Sequence, residues 1–175
     1  MKYQTLQSEA MYQGRAFGVR RDQVRLPNGQ TARLDIVEHV GAVTILPVDE
    51  DKRIWFVQQY RHAAAQQLLE LPAGTLEPGE QPEACARREI REEIGLAAEN
   101  MQKIGEFFLA PGYSTEYMVV FLATNLHPDP LPQDHDEFLR VETHSVAEVY
   151  RMVEQGEIQD AKTLAALMLG RGWLD

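Results

Sequence analysis

The segment that most constrains the fold is a loop and the helix that follows it, residues 71–95. It reads Leu-Pro-Ala-Gly-Thr-Leu-Glu-Pro-Gly-Glu-Gln-Pro-Glu-Ala-Cys-Ala-Arg-Arg-Glu-Ile-Arg-Glu-Glu-Ile-Gly. Two prolines and two glycines before position 80 fix an irregular path that a regular helix would not tolerate. From Pro82, suited to a first helical turn, the pattern is helical to Ile94, and Gly95 is placed to end it. At about 100° per residue, Ala86, Ile90 and Ile94 form a narrow apolar stripe that must face a core. Glu89, Glu92 and Glu93 share the adjoining arc. Glu89 meets the other two at i+3 and i+4 spacing, where like charges each cost about 0.2–0.5 kcal/mol. Arg88 stands one turn before Glu92 and can orient it. On an ordinary helix a solvated acidic face explains such a cluster. Here the acids border the buried stripe instead of opposing it, and the rigid loop adds Glu77 and Glu80. Hard oxygen ligands on a rigid frame suit Mg²⁺ or Mn²⁺, with a loop carbonyl as a further donor.

Around this helix, strands and helices are mixed. Val24 and Leu26, then Ala32, Leu34 and Ile36, alternate with polar residues on either side of Pro27-Asn28-Gly29-Gln30, a hairpin signal. Strands are expected at 42–47 and 54–59, joined by the charged turn 49–53, and at 103–109 and 116–123, which read as buried. A second helix begins at the capping box Ser145-Val146-Ala147-Glu148 and puts Val146, Val149, Tyr150 and Val153 on one face. A third starts near Asp160, carries Leu164, Leu167 and Met168 on one face, and is expected to end near Gly170. Between the last strands and these helices, residues 127–137 form a loop with three prolines and a cluster of acids. No strand–helix–strand rhythm repeats, so the expected class is α+β, with residues 1–40 as an N-terminal β segment and 41–175 as the main domain.

Composition removes several function classes. Twenty-seven acidic against 17 basic residues give a net charge of −10, which disfavours nucleic acid and anionic membranes as partners. The longest apolar run, seven residues at 117–123, is far short of a membrane span. The first twenty residues hold no apolar signal core, so the cytoplasm is the expected compartment. Cys85 is the single cysteine, which excludes an internal disulfide, and its place on the helix reads as packing. The histidines, at 39, 62, 127, 135 and 144, lack the HExxH spacing and read mostly as surface residues. A Gly-Lys-Ser/Thr phosphate loop, a dinucleotide fingerprint and a Gly-x-Ser-x-Gly elbow are all absent. If so acidic a chain handles phosphates, cations must stand between its acids and the ligand.

Gly74, five residues, Glu80, seven residues, then Arg88-Glu89-Ile90-Arg91-Glu92-Glu93-Ile94-Gly95-Leu96 resembles the Nudix box of the Nudix hydrolase superfamily at every specified position. The resemblance implies an α/β/α sandwich with a mixed sheet, preceded by an N-terminal antiparallel β segment. It also implies hydrolysis of a nucleoside diphosphate linked to another moiety, with Mg²⁺ or Mn²⁺ held by Glu89, Glu92, Glu93 and the carbonyl of Ala73.

Three further stretches are similar to the ADP-ribose pyrophosphatase subfamily. Pro111 lies fifteen residues after Leu96, in Pro111-Gly112-Tyr113-Ser114-Thr115-Glu116, although Pro-Gly serves a simple turn equally well. Gln58-Gln59-Tyr60-Arg61 resembles a Gln-x-x-Arg stretch whose arginine reaches the substrate; an ion pair from Arg61 to a nearby acid is the alternative. Asp136-Glu137-Phe138 resembles the loop that carries a catalytic glutamate, with Asp134 and Asp136 as alternatives to Glu137. The implied substrate contacts are Arg61, Ala73, Thr75, Pro111 and Gly112, and the implied catalytic residues are Glu92, Glu93 and Glu137. Residues 1–40 look like the segment with which such enzymes build a domain-swapped homodimer. Tyr12 and Phe17 there either stack on an adenine or pack in a core or interface. Tyr113 stands where many relatives have a small residue, which bears on the distal ribose pocket. The implied reaction is ADP-ribose to AMP and ribose 5-phosphate. Its rivals are another diphosphate substrate, such as GDP-mannose or FAD, and a catalytically silent ligand sensor.

Overall fold

The computed structural model describes residues 2–133 and 138–174. They form two compact units. One holds the residues up to Gly41 together with Phe108–Tyr117, and the other holds Ala42–Phe107 with the residues from Met118 onward.

In the first unit, β1 (Gln4–Gln13), β2 (Gly18–Arg25) and β3 (Thr31–Glu38) form an antiparallel sheet in that order. The expected hairpin joins β2 to β3. Its Gly29 takes φ +85°, a value side-chain-bearing residues rarely adopt, and donates its N–H to Leu26 O at 2.9 Å. The strand β1 escapes a pattern search because its register shifts twice, between Thr5 and Gln7 and between Ala10 and Tyr12, so no strict alternation survives. All ten of its residues are exposed, among them Leu6, Met11 and Tyr12. Arg20 pairs with Asp22 and Glu38, and Arg21 with Asp35, tying the strands together across the face. Residues 108–117 join this unit through Val37, which donates to Tyr113 O and accepts from Thr115 N.

In the second unit, β4 (Ala42–Pro47) runs parallel to β9 (Tyr117–Pro128) and antiparallel to the three-residue β7 (Ala73–Thr75). With β8 (Leu96–Phe108) the order is β7-β4-β9-β8, a mixed sheet. A second, antiparallel sheet has the order β10 (Arg140–Ser145), β5 (Arg53–Arg61), β6 (Gln66–Glu70). Leu46 and Val48 enter the main core with Phe56, Leu71, Val120, Val149 and Leu167. Alternation along β4 sends Val43 and Ile45, also fully buried, to the opposite face. The helix α1 (Pro82–Glu93) packs on β4 and β7, α2 (Val146–Glu154) on β5 and β10, and α3 (Ala161–Leu174) on β4. Helices on both faces of a mixed sheet make the α/β/α sandwich expected from the resemblance.

The helix signals hold in detail. Pro82 is at the first turn of α1 and Gly95, at φ +72°, follows its end. Ser145 Oγ accepts from Glu148 N while Glu148 Oε2 accepts from Ser145 N, the reciprocal capping box. Two expectations for α3 do not hold. The helix continues through Gly170, because that glycine serves close packing: a β-carbon there would overlap Leu46. Met168 is 70% exposed, since the core-facing line is Thr163, Ala166, Leu167, Gly170 and Leu174. Among the described residues, no helix is long and apolar enough to cross a membrane.

Candidate active site

The stripe of α1 is buried as its spacing requires, with Ala86 and Ile90 sealed and Ile94 nearly so. Two of the acids go in with it. Glu89 is 8% exposed and Glu93 only 3%. Burial of a carboxylate is costly unless it is paired or hydrogen-bonded, and each acid is provided for. Arg88 donates from Nη1 to Glu89 Oε1 at 2.6 Å and to Glu92 Oε2 at 2.8 Å. It also forks onto Glu80, Nε to Oε1 at 3.0 Å and Nη2 to Oε2 at 3.1 Å. One guanidinium thus organises three of the box carboxylates. The Arg88 hydrogen bonds hold the Glu80 carboxyl below its ordinary pKa, against the opposing effect of burial. Glu93 is held by the loop instead, accepting from Ala73 N–H at 3.0 Å.

The loop meets the helix at Gly74, where a β-carbon would overlap the Glu89 carboxylate. The space a side chain would take is the space Glu89 occupies. Glu80 Oε2 accepts from Glu77 N at 2.9 Å and so closes the turn before α1. Cys85 is buried behind the loop, and desolvation, with Glu89 and Glu80 nearby, pushes its thiol pKa upward; it is a packing residue.

As they stand, no three His, Cys, Asp or Glu side chains among the described residues are gathered as a ready-made metal cluster. The α1 acids are drawn onto Arg88 and the Ala73 N–H. Their chemistry nonetheless fits a hard divalent cation. The donor set is anionic and all oxygen, it is held at one end of a rigid helix, and the glycine cradle brings the loop backbone directly against Glu89.

The Gln-x-x-Arg stretch lies at the end of β5. Arg61 forks onto Glu70, with Nε and Nη2 each 2.7 Å from a carboxylate oxygen. Glu70 is 1% exposed and also pairs with Lys162, which reaches Asp160 at 3.0 Å. Burial works against ionisation of Glu70, but Arg61 and Lys162 prevail and keep its pKa below the ordinary range. The Arg61 pKa is raised chiefly by Glu70, against burial, with smaller contributions from Glu93 and Asp160, so of the box acids its charge is felt at Glu93. Arg61 therefore does make an ion pair with a nearby acid. Sequence reasoning did not single out Glu70 and Lys162; the one signal was a lone acid closing the apolar run Leu68-Leu69-Glu70-Leu71.

Thr75 ends β7, one residue beyond Gly74. Pro111 and Gly112 lie in the first unit, on the loop whose Tyr113 N–H donates to Ala110 O at 3.1 Å. Asp134, Asp136 and Glu137 lie outside the described residues. A cavity of about 430 Å³ lined by Gln58, Gln67, Gln133, Phe138, Leu139 and Arg140 flanks the first residue of the Gln-x-x-Arg stretch. A depression of about 580 Å³ elsewhere, lined by Asp49, Lys52, Glu99 and Trp173 among others, includes none of the expected site residues. Side-chain chemistry, and not cavity size, marks the site.

Residues 38–167 match the NUDIX domain, and residues 3–38 match the nucleoside diphosphate sugar hydrolase N-terminal domain. The chain belongs to the Nudix family. It is 40% identical to an ADP-ribose pyrophosphatase of Mycobacterium tuberculosis (strain ATCC 25618 / H37Rv), over 95% of this chain and 82% of that one. It is 36% identical to an ADP-ribose pyrophosphatase of Bacillus subtilis (strain 168), over 95% of this chain and 91% of the other. Its fold superposes on the crystal structure of an ADP compounds hydrolase with a TM-score of 0.88 at 26% identity, covering 99% of this chain and 95% of that one.

Proposed function

We propose that the protein hydrolyses the diphosphate bond of a nucleoside diphosphate sugar, with ADP-ribose the first candidate, water adding to give AMP and ribose 5-phosphate. The observation that carries this reading is the pair of buried carboxylates, Glu89 and Glu93, locked against the Ala73–Gly74 backbone. The names of its relatives direct the choice of substrate.

Glu89, Glu92, Glu93 and the Ala73 carbonyl would hold Mg²⁺, or Mn²⁺ in its place. When bound, such a cation neutralises diphosphate oxygens and acidifies water. The chain's own residues do the rest. Arg88 fixes the directions of Glu89 and Glu92, and the Ala73 N–H fixes Glu93. Arg61, steered by Glu70, sets a permanent positive charge beside the site for a phosphate oxygen. Thr75, Pro111 and Gly112 complete the proposed substrate contacts. Glu137 takes a proton from the attacking water, whose oxygen bonds to one phosphorus as the bridging oxygen leaves with the other phosphate, so each product carries one phosphate.

The reading extends to a cytoplasmic homodimer in which residues 1–40 serve the partner's substrate pocket. The fully exposed β1, with Leu6, Met11 and Tyr12 facing outward, supports a surface that another chain covers. The deciding experiment incubates the pure protein and Mg²⁺ with ADP-ribose, GDP-mannose, FAD and dinucleoside polyphosphates, and identifies the products. AMP and ribose 5-phosphate from ADP-ribose at the highest kcat/KM is the expected result. Preference for GDP-mannose or FAD moves the activity to that substrate, and tight binding without turnover makes the chain a sensor.

A further inference from the structure

We infer that Thr163, on α3, is a positioning residue for the Ala73 carbonyl, the one non-carboxylate oxygen in the proposed metal site. The inference rests on that reading of the site. The carbonyl belongs to Ala73, the first residue of β7, at the end of the short link Leu71-Pro72-Ala73 that leads out of β6. This link has only two backbone N–H groups, because proline has none. Both are taken by side chains of helices remote in sequence. Leu71 N–H donates to Thr163 Oγ1 at 2.9 Å across 92 positions, and Ala73 N–H donates to Glu93 Oε2 at 3.0 Å across 20. The Pro72 carbonyl accepts from Ile45 N–H at 2.8 Å and from the Thr44 hydroxyl at 3.3 Å. The three residues thus hang from α3, β4 and α1.

The Thr163 hydroxyl has a fixed direction. Its single proton goes to Asp160 Oδ2 at 2.6 Å, which turns a lone pair toward Leu71 N–H. Asp160 in turn accepts from Thr163 N at 3.0 Å and pairs with Lys162, whose ammonium reaches Glu70, the residue before Leu71. Thr163 and Leu71 are both sealed from solvent, so water cannot replace the hydroxyl. Its loss strands a buried donor and releases the α3 end of the link. A metal–oxygen distance tolerates a displacement of only about 0.2 Å, and a link of three residues passes movement at Leu71 directly to Ala73.

A packing role alone makes a different forecast, since both the methyl and the hydroxyl of Thr163 would then matter only for stability. The test is Mn²⁺ binding by titration calorimetry, without nucleotide, on the full-length protein, with a melting temperature for each variant. Thr163→Val keeps the shape and loses the hydroxyl; Thr163→Ser keeps the hydroxyl and loses the methyl. Thr163→Val is expected to bind Mn²⁺ about tenfold more weakly, the lower end of the range for outer partners of metal ligands. Thr163→Ser is expected to bind like the wild type while melting at a lower temperature. Wild-type affinity in Thr163→Val, or affinities that follow melting temperature and not the hydroxyl, overturn the inference. A wild-type measurement is independent of variant folding: the Leu71 amide should exchange more slowly when Mg²⁺ saturates the site, and unchanged exchange also overturns it. The site reading fails first, and takes the inference with it, if the wild type binds no Mn²⁺ or if Glu89→Gln and Glu93→Gln bind it undiminished. Loss of binding in those two with full binding in Thr163→Val defeats the inference alone.

Discussion

Gly74 and Glu89 occupy one space between them: any side chain at position 74 would overlap the Glu89 carboxylate. The atoms it would strike, Glu89 Cγ, Cδ and Oε1, all belong to a side chain that can turn, so the backbone need not move. Gly74→Ala should therefore melt close to the wild type while displacing Glu89 from the site. Activity is expected to fall by about 10²-fold, in line with a small misplacement of catalytic groups. Parallel melting and kinetic assays check this, and unchanged turnover would show that the Glu89 position is unimportant.

Metal dependence should be absolute. Glu89→Gln and Glu93→Gln each remove a charge the cation needs, and kcat is expected to drop by roughly 10²-fold or more. Folding should survive, since α1 also loses like-charge repulsion between Glu89 and Glu93, one turn apart. Circular dichroism confirms the fold, and full turnover in excess EDTA would refute the dependence.

The parts of this site that were legible in the sequence are those written in local spacing. The stripe Ala86, Ile90, Ile94 and its neighbouring acids follow from helical periodicity alone, as the Ser145 capping box follows from two side chains three apart. What stayed hidden joins residues remote in the chain. Glu70 meets Lys162, and Leu71 meets Thr163, each across 92 positions, and no local pattern announces such a meeting. The partner of Arg61 was equally hidden: Glu70 stands nine positions on, and only the fold places it against the guanidinium. The three-residue β7 is too short for any periodicity to reveal.

Residues 1–40 are expected to make the protein a homodimer. The β1–β3 sheet leaves β1 exposed along its whole length, with Leu6, Met11 and Tyr12 uncovered, and an open edge strand carrying apolar side chains is a surface that a second copy can cover. Light scattering should give twice the chain mass of 19.9 kDa. A fully active monomer would remove the dimer from the proposal.

Glu137 is the proposed proton acceptor, from its place in the acidic, proline-flanked loop before β10. Glu137→Gln should lower kcat by about 10²–10⁴-fold and flatten the acidic limb of the pH–rate profile. Mn²⁺ binding should not change, because this residue is not among the proposed ligands. A near-normal Glu137→Gln with a large loss in Asp134→Asn or Asp136→Asn would transfer the role to that neighbour.

Glu70 should make the protein acid-sensitive. Burial alone would raise its pKa, but Arg61 and Lys162 hold the carboxylate ionised and the net shift is downward. A carboxyl whose pKa is lower in the folded than in the unfolded chain adds stability above its unfolded pKa, about 4.3. That stability is lost as pH falls from there through the folded value. At pH about 7, Glu70→Gln leaves two cations facing a neutral amide, and the loss should be about 2–4 kcal/mol, near the range for breaking a buried pair. As pH falls through the folded value the wild-type carboxyl takes up its proton and comes to resemble the amide, so the difference between the two proteins should shrink. Glu80, whose pKa is also depressed, titrates in both and largely cancels from the comparison. Urea unfolding of the two proteins at several pH values measures the gap directly. A gap that stays constant from neutral to acid pH would show that Glu70 is held by geometry and not by its charge.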